Sequence, residues 1–320
     1  MPGFLHSLPK GADTNRLTFA QWLVDSRNPL VGRVTANRHW QAFFGRGLVR
    51  TMEDFGYQGE LPTHPELLDW LALELPRQQW SIKELHRLIV TSATYRQSST
   101  VTPELLAKDA PNRWLARGPR SRLEAELVRD VVLSTCGLLS DKIGGPSVFP
   151  PQPANISTEG AYGQLAWNTS PGEDRYRRGL YTFAKRTAPY AMFTTFDAPS
   201  GEACLPRREV SNTPLQALTL LNDAVFMEAA QQLGREWAAR NGSTSENVAA
   251  LFRRCLTRPP RSDELSALVA FHEQQVKKFT ADEALAKQLT GSSDGPVATQ
   301  AAWTATARVL LNLDEMIGKE

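Results

Sequence analysis

The chain has 320 residues, with 36 lysine and arginine against 34 aspartate and glutamate, a formal net charge of +2 and 41% hydrophobic residues. That length can bury one large core or two, and so even a charge balance removes the case for nucleic-acid or membrane-surface binding. No apolar run approaches the roughly 20 residues that cross a bilayer, and Met1-Pro-Gly-Phe-Leu-His has neither the basic nor the apolar region of an export signal.

In chain order, periodicity and start signals predict helices over Thr18 to Asp25, Val31 to Phe44, Pro65 to Leu75, Ser81 to Thr91 and Arg122 to Leu139. Ser81-Ile-Lys-Glu has the spacing of a capping box. Val34, Asn37, Trp40 and Phe44 share a stripe of the second helix, so the Asn37 amide points into the core and needs partners, either a loop backbone or a ligand. The texture changes between Leu139 and Asn212. Gly144-Gly145-Pro146, Pro150-Pro151, Pro153 and Pro171-Gly172 break any helix there. Gly179 to Phe183 and Ala191 to Phe196 read as two short strands, and the aromatics from Tyr176 to Phe196 anchor this excursion to the body. Further helices follow over Pro214 to Arg240, Ser245 to Leu256, Ser262 to Phe279 and Val297 to Leu313. Pro214 at the first helical position marks one start, with Asn212 or Thr213 as cap. Leu218, Leu221, Val225 and Ala229 give that helix a core face. The expected fold is mainly α: a helical bundle-like body with a long Pro/Gly-rich central excursion that carries a few short strands.

Candidate chemistry concentrates in two places. On the fifth helix Arg122, Glu126, Arg129 and Asp130 share a face, which reads either as a solvated ion-pair face or as the wall of a polar cleft covered by the excursion. In the run from Phe196 to Asp223, the residues Asp197, Glu202, Arg207, Arg208 and Glu209 offer an anion-binding fork and a carboxylate for proton transfer. The other reading is a mutual network that pins the loop to Glu126 or Asp130. Cys136, Cys204 and Cys255 are odd in number and far apart, with no C-x-x-C pair for zinc, redox chemistry or haem attachment. Cys136 reads as a small buried apolar residue. Cys204, beside Arg207 and Arg208, is either a thiol activated by nearby cations or an inert one. The histidines lack H-x-x-x-H or H-E-x-x-H spacing, so no metal is expected. Trp22, Trp40, Trp70 and Trp80 sit in helical patterns as core, although the chain's tryptophans also offer sugar-stacking surface.

These segments together resemble the PSD1 family, a planctomycete-type domain of unknown function also called DUF1553. The resemblance is carried by Asn15-Arg-Leu to Asn28-Pro-Leu, Val34-Thr-Ala-Asn-Arg-His-Trp-Gln to Phe44-Gly-Arg-Gly-Leu, Thr63-His-Pro-Glu-Leu-Leu-Asp-Trp-Leu and Leu85-His-Arg-Leu-Ile-Val-Thr-Ser-Ala-Thr-Tyr-Arg-Gln. The run from Phe196 to Asp223 and the ending Ala302 to Glu315 also carry it. It implies a C-terminal domain of long exported proteins, periplasmic or beyond, behind a PSCyt2 (DUF1549) domain and often a c-type cytochrome domain. Haem is then expected only in an upstream domain, with no cofactor in this chain. On this resemblance residues 1–16 are a linker from an upstream domain and 17–314 the PSD1-like domain, divided into 17–140, 141–212 and 213–314, and the chain is the C-terminal part of a longer protein. The expected role is a non-catalytic accessory or interaction domain that packs against the PSCyt2-like partner. The alternative is binding or hydrolysis of an acidic or sulfated glycan in an Arg/carboxylate cleft.

Overall fold

The structure is a computed structural model that describes residues 3–153, 167–186, 188–205 and 207–319. The stretch 154–166, part of the expected crossing, lies outside the described residues, as do Thr187 and Pro206. Among the described residues there are fourteen α-helices and one two-stranded sheet, Ser121–Arg122 (β1) with Gly318–Lys319 (β2), so the protein is mainly α. The chain divides into two compact units, Met1–Ser121 and Arg122–Lys319.

The N-terminal unit contains α1 (Arg16–Leu23), α2 (Pro29–Phe44), α3 (Pro65–Arg77), α4 (Ile82–Thr91) and α5 (Pro103–Asp109). Local chemistry sets both ends of α2. Asn28 Oδ1 accepts the Leu30 amide at 3.0 Å, Pro29 occupies the first turn, and Gly45 closes the helix at φ 72°. α2 lies close along α3, because a Cβ on Gly32 would sit 2.7 Å from the Ala72 carbonyl oxygen. The two helices and α4 bury Ala36, Trp40, Phe44, Leu68, Leu71, Leu75, Leu85 and Ile89. Trp22 and Trp40 are core as expected, but Trp70 is 44% exposed, on the outward face of α3.

The C-terminal unit contains α6 (Ala125–Thr135), α7 (Ala191–Thr195), α8 (Pro214–Asn222), α9 (Ala224–Ala238), α10 (Thr244–Leu256), α11 (Ser262–Ala281), α12 (Glu283–Thr290), α13 (Val297–Leu311) and α14 (Asp314–Ile317). α13 is apolar or small on most sides, as a central helix must be. It crosses α9 where Gly234 leaves no room for a side chain: a Cβ there would fall 2.1 Å from Thr304 Oγ1. Around this crossing Phe226, Leu233, Trp237, Leu251, Phe252, Trp303 and Leu310 form the main core.

Three local expectations are corrected. Gly179 to Phe183 and Ala191 to Phe196 are not strands. Gly179–Tyr181 is a 3-10 turn followed by a lone parallel bridge between Val148 and Thr182, and Ala191–Thr195 is helical. The single helix over Pro214 to Arg240 is two. Asp223, in extended backbone, ends α8, and its carboxylate caps α9 by accepting the Val225 amide at 2.9 Å. That break resets the phase, so α8 buries Gln216 and Leu220 while Leu218 is 54% exposed. Two of the unpredicted helices have legible caps. Thr102 Oγ1 accepts the Leu105 amide ahead of α5, and Asp282 Oδ1 the Leu285 amide ahead of α12.

Candidate functional site

Of the predicted residues of the C-terminal unit, Glu126, Arg129, Asp130 and Arg208 meet where the first turns of α6 join the excursion. The solvated reading of the α6 face does not hold, because the segment from Arg175 to Gly179 lies over it. Arg129 is fully buried and donates to the carbonyls of Arg177 and, at 2.8 Å, Arg175. A guanidinium buried this deeply survives by finding backbone acceptors in place of water, and burial pushes its pKa down. Asp130 accepts the Gly179 amide at 2.6 Å, with Arg178 Nε 3.6 Å from its other oxygen. Burial pushes the Asp130 carboxyl up, against the pull of these partners. Gly179 is required by proximity, since a Cβ there would lie 2.9 Å from the Glu126 backbone. Arg177, also fully buried, reaches the carbonyls of Pro146, Gly144 and Lys142 and stacks 3.7 Å over the Tyr181 ring. Arg129 thus nails the excursion to the helix, and Arg177 ties two stretches of the excursion to each other.

The loop within the run from Phe196 to Asp223, the signature loop, is held by a second network. Asp197 sits at φ 63°, a conformation that L residues adopt only at a cost. Its carboxylate accepts the Ser211 amide at 2.8 Å and the Ser211 hydroxyl at 2.7 Å, and Arg122 lies 3.9 Å away. Burial raises the Asp197 pKa, but these Ser211 bonds and the Arg122 charge leave it below the ordinary carboxylate range. Gln216, buried, ties the same knot to the chain by donating to the Thr195 carbonyl at 2.9 Å and accepting the Thr213 amide at 3.0 Å. Arg208 grips Glu126 with two nitrogens, at 2.6 and 3.1 Å, and has Glu124 3.6 Å away. Cys204, Arg207 and Asn212 are exposed, and Arg207 makes no ion pair among the described residues.

The two networks frame a cleft of about 610 Å³. Leu127, Leu180, Phe183, Phe193 and Pro199 give it an apolar lining, Glu126 and Asp130 stand on one wall, and Arg178 and Arg186 are at its margin. Glu126 and Asp130, four residues apart on α6, thus face the same cavity.

Asn37 belongs to the other unit. Fully buried, it donates to the Val49 carbonyl and accepts the Val49 amide, both at 2.9 Å, which fixes the turn that follows α2. The same unit holds a pair that sequence reasoning missed: His86 Nε2 lies 2.9 Å from His39 Nδ1 across 47 residues. Only the packing of α2 on α4 brings them together, so no spacing rule could have found them. Among the described residues no three His, Cys, Asp or Glu side chains gather as a metal-holding group, and no helix is long and apolar enough to cross a membrane.

A family model described as PSD1, protein of unknown function (DUF1553), matches residues 15–272. No curated protein and no solved structure matches the chain.

Proposed function

Since the chain belongs to the PSD1 (DUF1553) family of unknown function, we propose that it is a non-catalytic accessory domain that works by binding another protein domain. The observation that carries this reading is the apolar surface of the N-terminal unit: Phe4 is 78% exposed, Leu17 66%, Val24 52% and Phe19 47%. Four large apolar side chains left exposed between residues 4 and 24 support an interaction surface there. The signature loop supports the same reading. Arg208 is committed to Glu126, and Asp197 to Ser211 and Arg122, so these two of the residues that read as an anion fork with its carboxylate hold a loop, while Arg207 stays exposed. The partner is a PSCyt2 (DUF1549)-like domain, as the family resemblance implies. Such a protein acts in the periplasm or outside the cell, with any haem in a separate upstream domain and no cofactor here.

The test is calorimetric titration of the purified chain with a PSCyt2-like domain, repeated with Phe4→Asp/Leu17→Glu. A saturable complex that the double variant weakens at least tenfold is the expected result. No complex, or one indifferent to both changes, overturns the reading.

A second reading rests on Asp130, a cleft-facing carboxyl that burial holds above its ordinary range and that sits near Glu126. It makes the cleft a site for binding or hydrolysis of an acidic or sulfated glycan, with Arg178 and Arg186 meeting the negative charge. Turnover of sulfated or uronic-acid oligosaccharides that Asp130→Asn abolishes, with folding retained, would establish it over the first.

A further inference from the structure

The turn Phe44-Gly-Arg-Gly-Leu48, conspicuous in sequence and unused by either reading above, forms part of the wall of a cavity of about 230 Å³ in the N-terminal unit. At about 30 Å³ per water molecule this space holds roughly eight waters, or one sugar-sized molecule. Among the described residues its lining includes four arginines, Arg46, Arg113, Arg117 and Arg120, and no aspartate or glutamate. Apolar surface comes from Trp40, Phe44 and Leu115.

Glu60 and Asp109 lie near Arg46, Arg113 and Arg117, but their hydrogen bonds go to other groups, and Arg120 already has a contact of its own. Glu60 is held by Arg50, which lowers its pKa, and feels Arg46 and Arg113 only as more distant charges. Asp109 is turned toward backbone, accepting the amides of Arg113 at 2.8 Å and Trp114 at 2.7 Å. Arg117 is fixed from behind by the carbonyls of Asp109 and Ala110, so its position does not depend on a ligand.

The walls are rigid. Asn37 grips Val49 just beyond the turn, and a Cβ on Gly47 would lie 2.5 Å from the Val49 carbonyl oxygen. On the opposite side a Cβ on Gly118 would lie 2.4 Å from the Gln97 carbonyl oxygen. Two lining residues carry buried polar atoms without a partner: the donor Arg46 Nε and the acceptor Asn112 Oδ1. Buried polar atoms normally have partners. A ligand that completes both brings an acceptor to Arg46 Nε and a donor to Asn112 Oδ1, and the guanidinium charge and fork suit a tetrahedral oxyanion as that acceptor.

We infer that this cavity binds a small hydroxylated oxyanion ester, a phosphate or sulfate on a body of monosaccharide size. The ester oxygens face Arg46 and Arg113, and a hydroxyl donates to Asn112 Oδ1.

The experiment is calorimetric titration of the full chain at low salt with glucose 6-phosphate, glucose 6-sulfate, inorganic phosphate and glucose. Expected is saturable 1:1 binding of at least one ester, at least tenfold tighter than inorganic phosphate, with no binding of glucose. Preference between the two esters tells which oxyanion the fork takes. Arg46→Gln should weaken the ester at least tenfold, and Arg113→Gln, at an exposed position, about three- to tenfold. A thermal melt reports whether Arg46→Gln still folds, and if it does not, Arg113→Gln alone decides. Absence of saturable binding by both esters, or affinity unchanged in the folded variants, overturns the inference. The outcome is independent of the partner-domain titration, whose variants lie at Phe4 and Leu17.

Discussion

Arg208 and Glu126, 82 residues apart, meet in a two-pronged ion pair with Nη1 to Oε2 at 2.6 Å and Nη2 to Oε1 at 3.1 Å. This pair closes the signature loop onto the first turn of α6. Both side chains are partly solvated, so it is worth less than a fully buried pair. Arg208→Ala or Glu126→Gln should each cost about 1–2 kcal/mol. Urea unfolding of both single variants and the double should show coupling of about 1 kcal/mol. Neighbouring Arg207→Ala should stay within about 0.5 kcal/mol of the parent. Equal losses at 207 and 208 would mean that the pair does not hold the loop.

Gly179 sits where the excursion touches α6, and its missing side chain is what allows Asp130 to take the Gly179 amide. Gly179→Ala should cost about 1–3 kcal/mol by overpacking. Gly144→Ala, where no atom lies near the added Cβ, meets no clash and carries only the penalty of its φ of 78°. Thermal melts of the two variants should therefore differ, with Gly179→Ala the lower.

Asn37 satisfies both polar groups of Val49 from a fully buried position. Asn37→Leu leaves an amide and a carbonyl without partners, and should destabilise by about 2–4 kcal/mol. The denaturant midpoint of this variant checks the figure. A loss below about 1 kcal/mol would show that the turn after α2 finds other partners.

Stability should fall with acid earlier than carboxylate titration requires. Burial, and then the neighbouring His86, hold the His39 pKa below 6.5, and burial does the same for His272. In the unfolded chain both take up protons near pH 6.5. Below that pH the unfolded state binds more protons than the folded one, so unfolding becomes easier as pH drops. The slope is at most about 1.4 kcal/mol per pH unit for each histidine, and flattens below the folded pKa values. Urea midpoints between pH 7.5 and 5 should show this decline, reduced in His272→Asn. A flat profile across that window would contradict it.

The three thiols should separate by reactivity. Cys204 is exposed, whereas burial pushes the Cys136 thiol up to about 11 and the Cys255 thiol up to about 12. Only Cys204 is reachable by a reagent, while the other two thiols are buried and held protonated at pH 8. Titration with a disulfide reagent should give one fast thiol in the native protein and three in denaturant, and Cys204→Ser should abolish the fast one.

Local chain chemistry was enough for most of the helices. Caps such as Asn28-Pro29 and Ser81 and the apolar stripe of α2 are properties of neighbouring residues, readable without a fold. The burial of Asn37 followed from the same stripe. Where the reading slipped, a short polar residue changed roles: Asp223 looked like a helix interior and acts as a cap between two helices. The stretch after Gly179 read as a strand from its aromatic content, but its backbone is shaped by partners far along the chain.

The sites themselves required tertiary structure. The α6 face with Glu126, Arg129 and Asp130 carries an identical pattern whether it faces water or a wall. Only the carbonyls of Arg175 and Arg177, arriving from 46 and 48 residues away, make it buried. The same holds for the His39–His86 pair and for the arginines that line one cavity from positions 46 and 113–120. Helix periodicity is a short-range consequence of backbone geometry and shows in the order of residues. Which charge meets which is decided by loop closure and burial over tens of residues, and that information exists only once the chain has folded.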